Sequence, residues 1–306
     1  MITVFGSLNV DLLFNLDRLP APGETVLTRE IVQLPGGKGA NQATAAAKAG
    51  APTRFVGCVG EDGLGAPVLA SLTAAGCDVS GVREVPGATG TAVVMVERSG
   101  ENQIVVGSGA NMAVAASMLE SAALGPGDTL VCQMEIPPEA TAAALAAARR
   151  AGARTILNLA PARPLPPEVL ADVDLLIVNE GEAAVLAGSA APPLETARGL
   201  AAAHGLTCVV TLGGDGALAV TPDGRGCRVG TLAVQAVDTV GAGDAFVGVL
   251  AASLDVGMGL PDALHRASVA AGLTCTRPGA AAALPDAAEI DGRLSALARP
   301  VDLGDG

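Results

Sequence analysis

The sequence contains no tryptophan, no tyrosine and only four phenylalanines in 306 residues. A binding mode built on stacking a base or sugar against aromatic rings is therefore nearly excluded, and aliphatic side chains must line any nucleotide pocket. Basic residues are also scarce. Eighteen Lys and Arg stand against 31 Asp and Glu, a formal net charge of −13, and no local basic cluster interrupts the balance. Duplex nucleic acid is a poor partner for such a chain. An anionic ligand can still bind, but only through a few focused donors such as backbone N–H groups and a divalent cation. The six cysteines (Cys58, Cys77, Cys132, Cys208, Cys227, Cys275) include no Cys-x-x-Cys pair. Neither a zinc site nor a disulfide framework is signalled, and a reducing cytoplasm is the expected home. The first residues lack a basic signal-peptide region, and the alanine-rich segments are too often broken by charge, Gly and Pro to span a bilayer.

Hydrophobic residues make up 50% of the chain, enough for a large core. Short β-branched runs alternate with alanine-rich stretches: strand-like 129–132, 154–157, 174–178 and 208–212 interleave with helix-like 138–150, 179–186 and 196–204. This pattern predicts βαβ units around a buried, mostly parallel sheet, an α/β fold whose ligands gather at the carboxyl ends of the strands. Two segments break the alternation. Residues 12–34 hold two strand-like stretches, the second from 25 to 34, around the turn Pro20-Ala21-Pro22-Gly23. Residues 91–106 read as a hairpin around Ser99-Gly100. These strands form either a small separate sheet, a lid over a single domain spanning 1–306, or an extension of the main sheet's edge.

The sharpest motif is Val237-Asp238-Thr239-Val240-Gly241-Ala242-Gly243-Asp244-Ala245-Phe246, followed by an apolar helix. Glycines at a helix N-terminus expose N–H groups that, with the helix dipole, can hold the charge of a transferring phosphoryl group. Asp244 in the first turn can orient a substrate hydroxyl and take its proton. The alternative is an acid that merely dresses a helix start. A dinucleotide fingerprint, and with it a dehydrogenase, fits poorly, because Phe246 stands where the third glycine belongs.

Pro35-Gly36-Gly37-Lys38-Gly39-Ala40-Asn41-Gln42-Ala43 runs into another helix. Gly39 follows Lys38 where a P-loop needs Ser or Thr, so the motif is not Walker-type. Its glycines instead let a ligand approach the backbone, and Lys38 and Asn41 offer donors for hydroxyls. Asn9 and Asp11, at the end of the first predicted strand, alternate onto one side and suit vicinal diols. Glu135, Asn158 and Asn179 follow predicted strands. Asn179 and Glu182, three residues apart, can organise hydrated magnesium. Thr211-Leu212-Gly213-Gly214-Asp215-Gly216 closes a further strand with a turn open to a nucleotide phosphate.

Taken together, these motifs resemble the PfkB-type family of carbohydrate and nucleoside kinases, and within it the ribokinase branch. The resemblance runs in order along almost the whole chain. It takes in Gly6-Ser7-x-Asn9-x-Asp11, Pro22-Gly23-Glu24-Thr25, the glycine-rich segment 36–43, Gly109-Ala110-Asn111, Asn158-x-Ala160-Pro161-Ala162, Asn179-Glu180-x-Glu182-Ala183, Thr211-Leu212-Gly213, the segment 237–246 and Thr276-Arg277-x-Gly279-Ala280. It implies a ribokinase-like three-layer sandwich with a β-sheet lid at about 12–34 and 91–106, and ATP-dependent phosphorylation of D-ribose to ribose 5-phosphate. Asn9, Asp11, Gly37, Lys38, Gly39, Asn41 and Glu135 would hold the sugar, Asp244 would activate its primary hydroxyl, and Gly241, Ala242 and Gly243 would form the anion hole. Asn179, Thr211, Gly213, Gly214, Gly216, Gly243 and Ser268 would contact ATP, and Glu182 would act on Mg2+ through water. A monovalent cation, K+, would sit by Asp238, Val240, Thr274, Arg277 and Gly279. Two departures stand out: Ala283 replaces a serine ligand of that cation, and Ser268 replaces a histidine of the adenine pocket. The resemblance also implies a homodimer formed through the lid. Another sugar or a nucleoside as acceptor, or a sugar-binding regulator derived from a kinase, are the alternatives, and retention of Asp244 argues against the last.

Overall fold

The computed structural model describes residues 1–97 and 102–304. The chain begins with β1 (Ile2–Phe5), β2 (Asn9–Leu16), β3 (Ile31–Gly36), α1 (Lys38–Lys48), β4 (Thr53–Gly60), α2 (Gly65–Ala74) and β5 (Asp78–Val85). A hairpin of β6 (Gly90–Glu97) and β7 (Asn102–Gly107) precedes β8 (Thr129–Cys132), α3 (Pro138–Arg150), β9 (Arg154–Asn158) and α4 (Pro167–Leu170). Next come β10 (Leu175–Asn179), α5 (Glu180–Ala187), α6 (Pro193–His204) and β11 (Thr207–Thr211). The last third holds β12 (Ala217–Val220), β13 (Gly226–Val229), α7 (Ala242–Asp255), α8 (Leu260–Thr274), α9 (Ala287–Asp291) and β14 (Val301–Asp302).

Among the described residues, ten strands form one sheet in the order β14-β13-β12-β11-β10-β9-β8-β1-β4-β5. Neighbours from β5 through β11 pair in parallel, and β12, β13 and β14 close the far edge antiparallel. The central strands read as unbroken apolar runs because both faces are covered: Leu175, Leu176, Ile177 and Val178 are all buried. Successive residues serve opposite layers. Ile2 and Val4 pack with α1, α7 and α8 on one face, while Phe5 packs with α3 and α6 on the other. The result is the expected three-layer sandwich. On the first face, α1 and α7 approach unusually closely at Gly248, where a Cβ would lie 2.4 Å from the Gln42 carbonyl oxygen.

The remaining strands form their own sheet, ordered β3-β2-β6-β7, so they do not extend the edge of the main one. β2 pairs antiparallel with β3 and parallel with β6, and β6 pairs antiparallel with β7. Three expectations are corrected here. Residues 25–30 form no strand, and β3 starts only at Ile31. Asn9 and Asp11 lie on β2 of the small sheet and not at the end of β1, because the chain turns at Gly6-Ser7 and pairs anew. The antiparallel edge β12–β14 also departs from simple βαβ repetition, since Pro222-Asp223-Gly224 turns the chain straight back. The Ser99-Gly100 turn lies outside the described residues. No helix among the described residues is long and apolar enough to cross a membrane.

Candidate active site

The carboxyl ends of β1, β8, β9, β10 and β11 all open on one rim, and the N-termini of α1 and α7 meet there. Asp244 sits in the first turn of α7, yet its side chain caps nothing in its own helix. Its Oδ2 accepts from Asn41 Nδ2 at 3.0 Å and its Oδ1 from Gln42 Nε2 at 3.0 Å, both on α1. Plain helix-start decoration is therefore the wrong description of this acid. Burial pushes the Asp244 carboxyl above its ordinary value and Glu135 adds to that, while the Lys38 ammonium and the two amides pull the other way.

Two cavities open at this rim, and Asp244 lines only the smaller. One, of about 150 Å³, is lined by Asp244, Gly241, Gly243, Asn179, Glu182 and Thr211, among others. The other, of about 300 Å³, is lined by Asn9, Glu135, Asn111, Met112, Val106 and Arg163, among others. Lys38 lines both. Burial disfavours its charge, but Asp244, Glu135 and Glu182 more than offset this and raise its pKa above the usual lysine value.

On the larger cavity's side, Glu135 Oε2 accepts from Ser7 Oγ at 2.6 Å and from the Lys38 backbone N–H at 3.0 Å. The carboxylate thus sits at the positive end of α1. Asp11 projects over Gly36, whose Cβ position would fall 2.2 Å from the Asp11 carboxylate oxygens. Burial, then the charges of Glu135 and Asp244, push Asp11 up to about 6. Asn9 Oδ1 accepts from Asn111 Nδ2 at 2.7 Å, and Asn111 Oδ1 accepts from Leu8 N. The backbone donor fixes the Asn111 amide and therefore the Asn9 amide, whose Nδ2 remains to donate elsewhere. Gly37 adopts φ 90° against the Asn9 backbone, where a Cβ would lie 2.7 Å from Asn9 N. Gly39 is a correction. It is buried, its N–H donates to Ser7 Oγ at 3.2 Å, and a Cβ would meet the Ser7 backbone at 2.7 Å. Its work is to let α1 dock on β1, not to face a ligand.

On the smaller cavity's side, the first turn of α7 presents N–H groups without intrahelical acceptors. The space above Gly243 is open. The Ala242 N–H instead donates to Thr239 O at 3.3 Å, closing the turn that leads in. Asn179 and Glu182 both line this cavity and form a reciprocal capping box on α5: Asn179 Oδ1 accepts from Glu182 N, and Glu182 Oε2 from Asn179 N, each at 2.8 Å. Asn179 Nδ2 is left to donate into the cleft, and burial raises the Glu182 carboxyl. Beyond Thr211, Gly213, Gly214 and Asp215 form a short 3-10 turn. Gly216 closes it at φ 89° with its Cβ position 2.0 Å from Val229 O, so only glycine fits.

The proposed cation ligands also come together. Asp238 Oδ1 accepts from Val240 N at 3.0 Å and Oδ2 from Gly279 N at 2.9 Å, joining the loop before α7 to the loop after α8. Thr274 O accepts from Arg277 N, and the Arg277 side chain pairs with Glu289. Ser268 does not join the site. It is 3% exposed, and its hydroxyl donates to Gly230 O inside the fold.

Sequence reasoning gave no role to Gln42, Gln133, Ser7, Asn111 or Arg163. A polar residue on the buried face of an alanine-rich helix was the available signal for Gln42, which is fully buried.

Residues 1–287 match the family model described as pfkB family carbohydrate kinase. The ribokinase of Schizosaccharomyces pombe is 35% identical over 310 residues, covering 96% of this chain and 98% of that protein. A crystal structure of ribokinase from Thermotoga maritima is similar at a TM-score of 0.89 and 32% identity, covering 96% of this chain and 99% of that one. Arabidopsis thaliana ribokinase, solved in complex with ribose and ATP, gives a TM-score of 0.87 at 32% identity over 96% of this chain and 98% of that one.

Proposed function

The chain belongs to the pfkB family of carbohydrate kinases, phosphotransferases acting on a hydroxyl group, and from that premise we propose that it converts D-ribose and ATP to D-ribose 5-phosphate and ADP. The observation that carries this reading is the buried Asp244 carboxylate at the wall of one cavity, coupled to Lys38, which lines that cavity and the larger one beside it. Ribose occupies the larger cavity, lined by Asn9, Lys38 and Glu135, and extends from it towards Asp11, Asn41 and Asp244, with Asp11 and Glu135 accepting from its hydroxyls and Asn9, Asn41 and Lys38 donating. The triphosphate enters the smaller one, its γ-phosphate at the N-terminus of α7 and its remainder along Asn179, Thr211 and the Gly213–Asp215 turn. Asp244 takes the proton of the C5 hydroxyl as the oxygen bonds to the γ-phosphorus, and the bond to the bridging oxygen of ADP breaks. The N–H groups of Gly241 and Gly243, with Lys38, hold the charge on the phosphoryl oxygens.

Glu182 fits magnesium carried on the phosphates. Its carboxylate lines the cleft with one oxygen engaged by its own helix cap, and no cluster of three metal-binding side chains exists among the described residues, so water and phosphate would supply most ligands. When bound, magnesium neutralises part of the phosphate charge. Asp238 fits a potassium ion: it already draws the two loops together, and with Ala283 lacking a side-chain oxygen the other ligands would be backbone carbonyls.

The small sheet acts as a lid, and a second copy of the chain covers it. Ile31 on β3 and Ile104, Val105 and Val106 on β7 are each half or more exposed, so both open edges of the sheet are apolar.

The test is a coupled ADP-release screen with ribose, 2-deoxyribose, fructose, adenosine, cytidine and uridine. Ribose should give the highest kcat/KM; another acceptor preferred by more than about tenfold would overturn the assignment.

A further inference from the structure

Gln42 and Gln133 have no part in holding sugar or nucleotide, yet they form a directed chain of amides ending on the base. The direction is fixed from outside. Asn158 Nδ2 donates to the backbone oxygen of Ile177 at 3.2 Å, which leaves Asn158 Oδ1 facing α1. Gln42 therefore confronts two oxygens, Asn158 Oδ1 and Asp244 Oδ1, and its Nε2 donates to both at 3.0 Å. Its own Oε1 must then accept, and it does so from Gln133 Nε2 at 2.7 Å. Gln133 is closely packed against Gly6, where a Cβ would lie 1.9 Å from its Oε1, and that oxygen has no hydrogen-bond partner among the described residues. Gln42 and Gln133 are both fully buried. The close packing of α1 on Gly248 of α7 brings Gln42 within reach of Asp244. Every rotation that would present an oxygen of Gln42 to the carboxylate breaks two or more buried hydrogen bonds.

We propose that Gln42, held by Gln133 and Asn158, is a positioning residue for the phosphoryl-transfer base: it binds one oxygen of Asp244, fixes the carboxylate plane and aims it into the smaller cavity. The proposal rests on the assignment of Asp244 as the base. Asn41, also buried, binds the other oxygen of the carboxylate, so the two neighbouring amides of α1 hold one oxygen each. Among the groups facing Asp244, Lys38 and Asn41 on α1, Glu135 after β8 and Asp11 on β2 remain when Gln42 is changed.

The test is Gln42→Met, which keeps the length and removes the donor, with Gln133→Met as the milder variant that removes only the support. Loss of a hydrogen bond to a buried carboxylate raises its pKa by about one unit. The acid limb of the kcat profile should move up by that amount, leaving kcat about tenfold below the parent on the limb and closer to it on the alkaline plateau. KM for ribose should change by less than about threefold. A uniform fall at every pH, or an unmoved limb, overturns the proposal. Titration of the Asp244 carboxyl in the ligand-free protein, read by infrared difference against Asp244→Asn, needs no substrate and should show the same upward shift. If ribose proves not to be the acceptor, that titration still decides on Gln42; an unshifted carboxyl there overturns the proposal whatever the acceptor. If Gln42→Met does not fold, Gln133→Met is read by the same two measurements, with a smaller shift expected and none contradicting it.

Discussion

In the proposed sugar site, Asp11 is where recognition and stability would pull against each other. Its carboxyl is raised from the ordinary 3.8 to about 6, chiefly by burial and then by Glu135 and Asp244. The sign follows from which state holds the proton. In the unfolded chain Asp11 ionises near its ordinary value; in the fold it keeps its proton until about pH 6. The penalty on folding is absent below the ordinary value, grows as pH rises through the interval, and is constant above it. Its full size is about 2–3 kcal/mol, the equivalent of the shift at about 1.36 kcal/mol per unit with a small allowance for the carboxylate's remaining contact with water. Asp11→Asn removes the charge at nearly constant shape. Urea denaturation of the ligand-free protein should show the variant equal to the parent near pH 4 and more stable by about 2–3 kcal/mol at pH 7 and above, with the difference developing between. The same variant should bind ribose more weakly, because a hydroxyl loses an ionised acceptor. A stability gain independent of pH, or a loss at neutral pH, would refute the electrostatic account of this position.

Gly241 takes φ 79°, and a Cβ there would lie 2.9 Å from Ala280 Cα. Gly241→Ala should cost about 1–2 kcal/mol of stability in a thermal melt and lower kcat on the order of a hundredfold, since it displaces the donors at the N-terminus of α7. Replacing potassium by tetramethylammonium in the ADP-release assay should lower activity on the order of tenfold; indifference would count against the site at Asp238. Light scattering at micromolar concentration should give a dimer for the parent and a monomer for Val105→Glu, and a monomeric parent would remove the shared lid.

Much of this was legible in the sequence for identifiable physical reasons. Buried parallel strands such as β10 are unbroken apolar runs, and the glycines around Asp244 mark a helix start where a ligand approaches backbone. Asn9 and Asp11 were misplaced because their alternation continues across the Gly6-Ser7 turn, and no local signal says which sheet a strand will join. Gly39 looked like ligand backbone but is a contact between α1 and β1, a distinction that needs the third dimension. Ser268 followed position alone, and its hydroxyl turned inward to Gly230 O. The amide chain from Gln133 through Gln42 to Asp244 joins residues up to 202 positions apart, so its members carry no mark of one another in the sequence. The hairpin of β12 and β13 did carry its signal in Pro222-Asp223-Gly224, overlooked beside the stronger βαβ rhythm.

The central claim is that Asp244 is the base between a sugar cavity and a phosphate cleft, and Asp244→Asn tests it most directly. Calorimetry and turnover should be measured on the same preparation. The account predicts ribose affinity within about threefold of the parent and turnover lowered by at least about a hundredfold. Retention of most of the turnover, or loss of ribose binding and turnover in equal measure, would contradict it.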